Sequence, residues 1–148
     1  MEARMKSSAS FNAVIGEGTQ AMWKAAGKTL GQETLALVHL RVSQINGCSY
    51  CVVNAAQQAE QADEAERLRM FAVAAWRDAP YFTDAERAAL ALTEAVTRLA
   101  DRPDPVPDAV WDKAAGQFTE EELSALLTAI ATVNVWNRMN VPTRQVAG

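Results

Sequence analysis

The chain has few of the side chains that build metal centres. Among its 148 residues there are two cysteines and a single histidine, His39. A closed structural zinc site takes four Cys, His or carboxylate ligands, so no metal site is expected, and no organic cofactor either. A charge excess is also missing. The 14 Lys and Arg against 18 Asp and Glu leave a net charge of −4, which offers no footprint for nucleic acid or an anionic membrane surface. No run approaches the roughly 20 apolar residues of a membrane span. The segment Met1 to Ser10 carries Arg4 and Lys6 but is not followed by an apolar h-region, so no signal peptide is expected. The expected compartment is the cytoplasm. Strictly alternating apolar and polar residues, the mark of a half-buried strand, are absent over any useful length.

What remains is helical. At 49% hydrophobic and 22% charged residues, the composition is that of an ordinary soluble domain. Its length suits one core built without staples, and its alanines suit close helix–helix packing. We expect a flexible leader over 1–10 and a single all-α domain over 11–148. A weak helix is expected from Phe11 to about Lys28, with a stripe of Phe11, Val14, Ile15, Met22, Trp23 and Ala26. Gly16 and Gly18 weaken it, and Gly27 and Gly31 are expected to bracket a turn. A stronger helix follows from about Gln32 to Ile45 with Leu37, Val38 and Leu40 inward. Then come a helix from about Cys48 to Gln61 and one capped by Asp63 running through Leu68, Phe71, Val73 and Trp76. Thr83 with Glu86 and Thr119 with Glu122 form capping boxes. They open helices over Asp84 to Leu99 and through Leu123 to Trp136, the latter closed by Pro142. A short helix, Asp108 to Ala115, lies between them, after the stiff connection Asp101 to Pro107.

Both cysteines fall in one place, Cys48 and Cys51, after the Asn46-Gly47 break between two of these helices. A spacing of three puts their side chains on one helical face, within reach of a disulfide. At the first turn of a helix, unsatisfied N–H groups and the dipole favour a thiolate. A thiolate beside a second thiol is the basis of a dithiol redox centre. The alternative is a pair of small buried apolar residues.

The stretch Leu40-Arg41-Val42-Ser43-Gln44-Ile45-Asn46-Gly47-Cys48-Ser49-Tyr50-Cys51 resembles the signature of the carboxymuconolactone decarboxylase-like superfamily, in the AhpD-like alkylhydroperoxidase branch that carries Cys-x-x-Cys. The likeness continues through Ala75-Trp76-Arg77, Phe82 to Leu92, Phe118 to Leu123 and Asn134 to Val141. The resemblance implies an AhpD-like helical fold, homo-oligomers (trimers or hexamers) and thiol peroxidase or disulfide reductase chemistry. It implies that Cys51 attacks the peroxide, Cys48 resolves the sulfenic acid, and a dithiol reductant restores the pair. The superfamily's decarboxylases lack the cysteine pair.

The chain departs from that pattern where a His follows the second cysteine by four residues and a Glu precedes the first by twelve. Those positions are Ala55 and Ala36. An imidazole at 55 would stand one turn from Cys51 and take its proton, and a carboxylate at 36 would orient it. Alanines do neither. His39 and Glu33, each one turn from Ala36, are the substitutes to examine. Tyr50 is read as packing rather than as a donor at the pocket mouth. Trp136 with Asn134, Asn137 and Asn140 shares the spacing of one face, read as core and interface rather than substrate contact. The sequence therefore points to a weakened thiol peroxidase or dithiol oxidoreductase at Cys48 and Cys51. A non-enzymatic oligomer with a redox-sensing or structural Cys-x-x-Cys is the main alternative. Lactone or carboxylic-acid chemistry in the same pocket would lack a base.

Overall fold

The structure is a computed structural model that describes residues 2–5 and 13–147; the expected contribution of Phe11 lies outside them. Among the described residues there are seven α-helices and no strand. They are α1 Ala13–Thr29, α2 Gln32–Asn46, α3 Ser49–Ala59, α4 Glu64–Ala72, α5 Asp84–Thr97, α6 Asp108–Ala115 and α7 Glu120–Thr143, with a 3-10 turn Val73–Ala75 after α4.

The centre of the molecule is α2, because its apolar residues lie on more than one face. Leu35, Val38 and Val42 enter one core with Ala89 and Leu92 of α5 and Leu126, Ile130 and Val133 of α7. Leu37 and Leu40 enter a second core with Ala55, Val73, Trp76 and Leu90. A helix apolar on several faces is stable only when covered on each of them, and every such Leu contributes about 1.5–3 kcal/mol by leaving water. Alanines 88, 89 and 95 on α5 and 125 and 129 on α7 are buried as well, in keeping with close helix packing.

Both capping boxes form. Thr83 and Thr119 accept from the backbone N–H of Glu86 and Glu122, and each Glu carboxylate receives the cap's own N–H. Asp63 caps α4 in the simpler way, accepting from Glu66 N–H.

Four expectations shift. The stripe proposed for α1 faces the core only in part: Ala26 is buried and Trp23 packs against the first core, but Val14, Ile15 and Met22 are exposed, and Thr19 is buried in their place. Thr19 tolerates this because its hydroxyl donates to the Ile15 and Gly16 carbonyls at 3.0 and 3.1 Å. Gly27 lies inside α1 rather than in a turn. A Cβ there would come within 3.3 Å of Leu35 and Gln32, so the residue marks where α1 meets α2. Leu68 and Phe71 stay on the surface of α4 while Met70 and Val73 turn inward. Finally, Pro142 sits within the last turn of α7 rather than beyond it. The Pro142 carbonyl receives the Arg4 guanidinium at 3.0 Å, and the Thr143 carbonyl receives Arg4 backbone N–H at 2.9 Å. Two helix-terminal acceptors are thereby satisfied from the other end of the chain.

A cysteine pair at the head of a neutral pocket

The turn between α2 and α3 sets the position of the cysteines. Gly47 ends α2 at φ 67° and ψ 30°, left-handed backbone that suits glycine. Cys48 N–H then donates to the Ser43 carbonyl at 3.0 Å, and Cys48 becomes the N-cap of α3, its sulfur accepting from Cys51 N–H at 3.3 Å. Cys48 and Cys51 are joined as a disulfide with Cα atoms 5.3 Å apart. Both are buried.

Asparagines of α7 close over Cys51. Asn137 is 1% exposed, and its Nδ2 donates to Cys51 Sγ at 3.1 Å and to Ser43 Oγ at 3.2 Å. Its Oδ1 accepts from Asn46 Nδ2 at 2.9 Å. The same Asn46 nitrogen reaches Asn134 Oδ1 at 3.0 Å, which also receives the Arg138 guanidinium. Asn140 Nδ2 approaches Cys51 Sγ at 3.4 Å. The face expected to serve core and interface thus reaches the sulfur. The signal present in the sequence is the recurrence of asparagine on a helix whose other buried residues are apolar except Thr132: a buried amide needs partners, and these partners come from the cysteine motif.

Cys51, and not Cys48, lines a cavity of about 550 Å³ between α1, α2, α3 and the end of α7. Among the described residues its wall includes Trp23, His39, Tyr50, Trp136, Met139 and Asn140, and no Asp, Glu, Lys or Arg. Tyr50, expected to pack, is 42% exposed at this wall. The His39 ring stands edge-on to Trp23 and Trp136, with centroids at 6.0 and 6.2 Å. Burial lowers its pKa from 6.5 to about 4, so the imidazole is neutral at pH 7 and the described residues of the wall carry no formal charge.

The other candidate base is elsewhere. The Glu33 side chain is 72% exposed and pairs with Arg69 at 3.6 Å, away from the cavity wall. Ala55 is 2% exposed within the second core, against which Ala36 packs. Position 55 is therefore occupied by packing and not by an open slot.

The remaining polar residues of the motif brace the fold. Arg41 Nε donates to Glu94 Oε1 at 2.7 Å while its Nη1 donates to Gln44 at 3.1 Å. Trp76 Nε1 and Arg77 reach the same Glu94 carboxylate, each at 2.9 Å. Burial pushes the Glu94 carboxyl up, but hydrogen bonds from Arg77, Trp76 and Arg41, with the Arg41 charge, outweigh it and bring the pKa down to about 2. Glu94 is thus a fixed anion that ties α2, α5 and the 3-10 turn together.

Comparison with known proteins gives a consistent result. The model of the carboxymuconolactone decarboxylase family matches residues 9–95. The uncharacterized protein YdfG of Bacillus subtilis is 30% identical over 76% of this chain and 75% of its own length. The uncharacterized protein YnjA of Escherichia coli is 34% identical over 71% of this chain, which spans only 56% of that longer protein. Among solved structures, a protein of unknown function from Agrobacterium tumefaciens, provisionally assigned to antioxidant defence as AhpD, superposes with a TM-score of 0.86. It is 27% identical, and 99% of each chain is covered.

Proposed function

Given that this chain belongs to the carboxymuconolactone decarboxylase family, we propose that it is an AhpD-like thiol peroxidase that reduces organic hydroperoxides through Cys51 and Cys48. The observation that carries the reading is the position of Cys51: bonded to Cys48 and in contact with a cavity on whose wall no described residue is charged. A cavity of about 550 Å³ falls in the range that holds small organic molecules. Its lack of charge favours an uncharged substrate over an anionic one.

In the reduced protein, the Cys51 thiolate attacks one peroxide oxygen. The S–O bond forms as the O–O bond breaks, and the alkoxide takes a proton to leave as alcohol. Cys48 then attacks the sulfenic sulfur, releasing water and forming the disulfide. A dithiol reductant returns two electrons and two protons by thiol–disulfide exchange. With Ala36 and Ala55 at the relay positions, the proton of Cys51 has no carboxylate–imidazole pair to accept it. General-base help is typically worth about 10²–10⁴-fold, so turnover at neutral pH is expected to be slow and to rise with pH. The proposed setting is a homo-oligomer in the cytoplasm, where a reducing thiol pool supplies the dithiol.

The test is stoichiometric. The reduced protein, given cumene hydroperoxide, is expected to lose one thiol pair per peroxide consumed. Cys51→Ser should abolish consumption, and Cys48→Ser should stop at a Cys51 sulfenic acid trappable by dimedone. Thiols that stay reduced in excess peroxide would refute the peroxidase reading. They would favour the non-enzymatic alternative in its structural form, which the absence of a relay at 36 and 55 supports; thiols oxidised without catalytic turnover would favour its redox-sensing form.

A further inference from the structure

The geometry points to Asn137 and Asn140 as the groups that stabilise the Cys51 thiolate, by donating amide N–H bonds to its sulfur, in place of a general base. The inference rests on the reading of Cys51 as a reactive thiol, but not on peroxide as its substrate.

The two amides approach Sγ at 3.1 and 3.4 Å. A disulfide sulfur is a weak acceptor. The same donors gain more from an anionic sulfur, because hydrogen bonds to an ionised partner are roughly twice as strong as neutral ones. They therefore favour the thiolate over both thiol and disulfide, and bonding to the charged form lowers a pKa. An amide can do this only if its nitrogen, not its oxygen, faces the sulfur. Asn46 sets that orientation. Its Nδ2 donates to Asn137 Oδ1 at 2.9 Å, and Ser43 Oγ accepts the second Asn137 N–H at 3.2 Å. Turning the amide over would set its nitrogen against the Asn46 donor and its oxygen against the sulfur.

Asn46 and Ser43 are thus positioning residues, and Asn137 and Asn140 touch the reacting atom. Backbone donors at the start of α3 act in the same direction. Among the described residues no side-chain charge on the cavity wall competes: the titratable groups there beside Cys51 are His39 of α2 and Tyr50 of α3, and α1 and α7 contribute none. The nearest α7 cation, Arg138, is turned to Asn134. A base that removes the proton and donors that stabilise the resulting anion are different devices. The second needs no residue at position 55.

The experiment uses the full chain in a Cys48→Ser background, where Cys51 is the sole thiol and serine remains a good N-cap. The rate of iodoacetamide alkylation is followed from pH 5 to 10, with folding checked by circular dichroism. The parent is expected to titrate below the free value of about 8.5. Asn137→Asp keeps the shape but sets an acceptor and a negative charge against the sulfur. It should raise the midpoint by at least about one unit, slowing alkylation at pH 7 about tenfold. Asn140→Ala should raise it by less. A profile unmoved in both variants overturns the proposal, and one moved only by Asn140→Ala removes Asn137 from it. If Asn137→Asp does not fold, an unmoved Asn140→Ala profile is sufficient to reject it. A low midpoint in a protein that consumes no hydroperoxide would sink the peroxidase reading while leaving this one standing.

Discussion

Two residues of the site carry consequences of their own. Ala55 lies one turn after Cys51 and is packed in the second core, so adding an imidazole there inserts volume where none is free. Ala55→His is expected to cost about 1–3 kcal/mol of stability by overpacking, seen as a lower urea midpoint. Combined with Ala36→Glu it should still raise peroxide turnover per folded molecule at pH 7, and neither single change should match the pair, since the two groups act as a unit. His39 gives a different readout. Its pKa is about 4 when folded and 6.5 as the ordinary value, so between these values the unfolded chain binds a proton that the folded chain refuses. Stability should therefore fall as the pH drops from 6.5 towards 4, with a slope approaching about 1.4 kcal/mol per pH unit. The Glu94 carboxylate is lost only from 4.5 down to about 2, so urea unfolding between pH 7 and 4.5 isolates the imidazole. His39→Gln should flatten the slope; a histidine profile that survives the substitution would reject the assignment.

At the scale of elements, the break between α2 and α3 and the helix caps govern most of the architecture. Gly47 adopts left-handed backbone, and a Cβ there meets nothing within 4 Å, so the cost of a side chain is conformational alone. Gly47→Ala should lower stability by about 1–2 kcal/mol, and Gly47→Asn by less, measured as shifts in the thermal midpoint; equal losses for the two would contradict a backbone origin. These features were readable in advance because capping and turn chemistry are local. Asn46-Gly47, Thr83 with Glu86 and Thr119 with Glu122 each name a boundary without reference to the rest of the chain. The orientation of α1 was readable only in part. Its apolar residues Val14, Ile15, Met22, Trp23 and Ala26 suggest one buried face, but Gly27 brings α1 against Leu35, and of these Trp23 and Ala26 turn to the core, with Thr19, while the other three stay in solvent.

For the molecule as a whole, the surface gives the prediction. Leu68 and Phe71 of α4 and Tyr81 after it are 48%, 72% and 49% exposed, large apolar side chains of the kind that contacts between subunits cover. Light scattering is expected to give a multiple of the 16.0 kDa chain mass at micromolar concentration, and Phe71→Glu should reduce it. A monomer in the unsubstituted protein would remove the homo-oligomer from the proposal. Among the described residues no helix is long and apolar enough to cross a membrane.

The sequence by itself determined the helical class, the helix boundaries set by caps, and the placement of Cys48 and Cys51 at the head of a helix. Each follows from residues within a few positions of one another. It also showed that Ala36 and Ala55 hold no relay. Only the tertiary structure decided what surrounds the sulfur. Asn137 lies 86 residues from Cys51, and nothing local says that α7 crosses the head of α3 there. His39 and Glu33 were equal candidates for the base on spacing, and packing separated them: α2 turns His39 between two tryptophans on the cavity wall and leaves Glu33 in solvent beside Arg69. Which polar side chain meets a reactive atom depends on how helices cross, and that is fixed by the two cores on either side of α2.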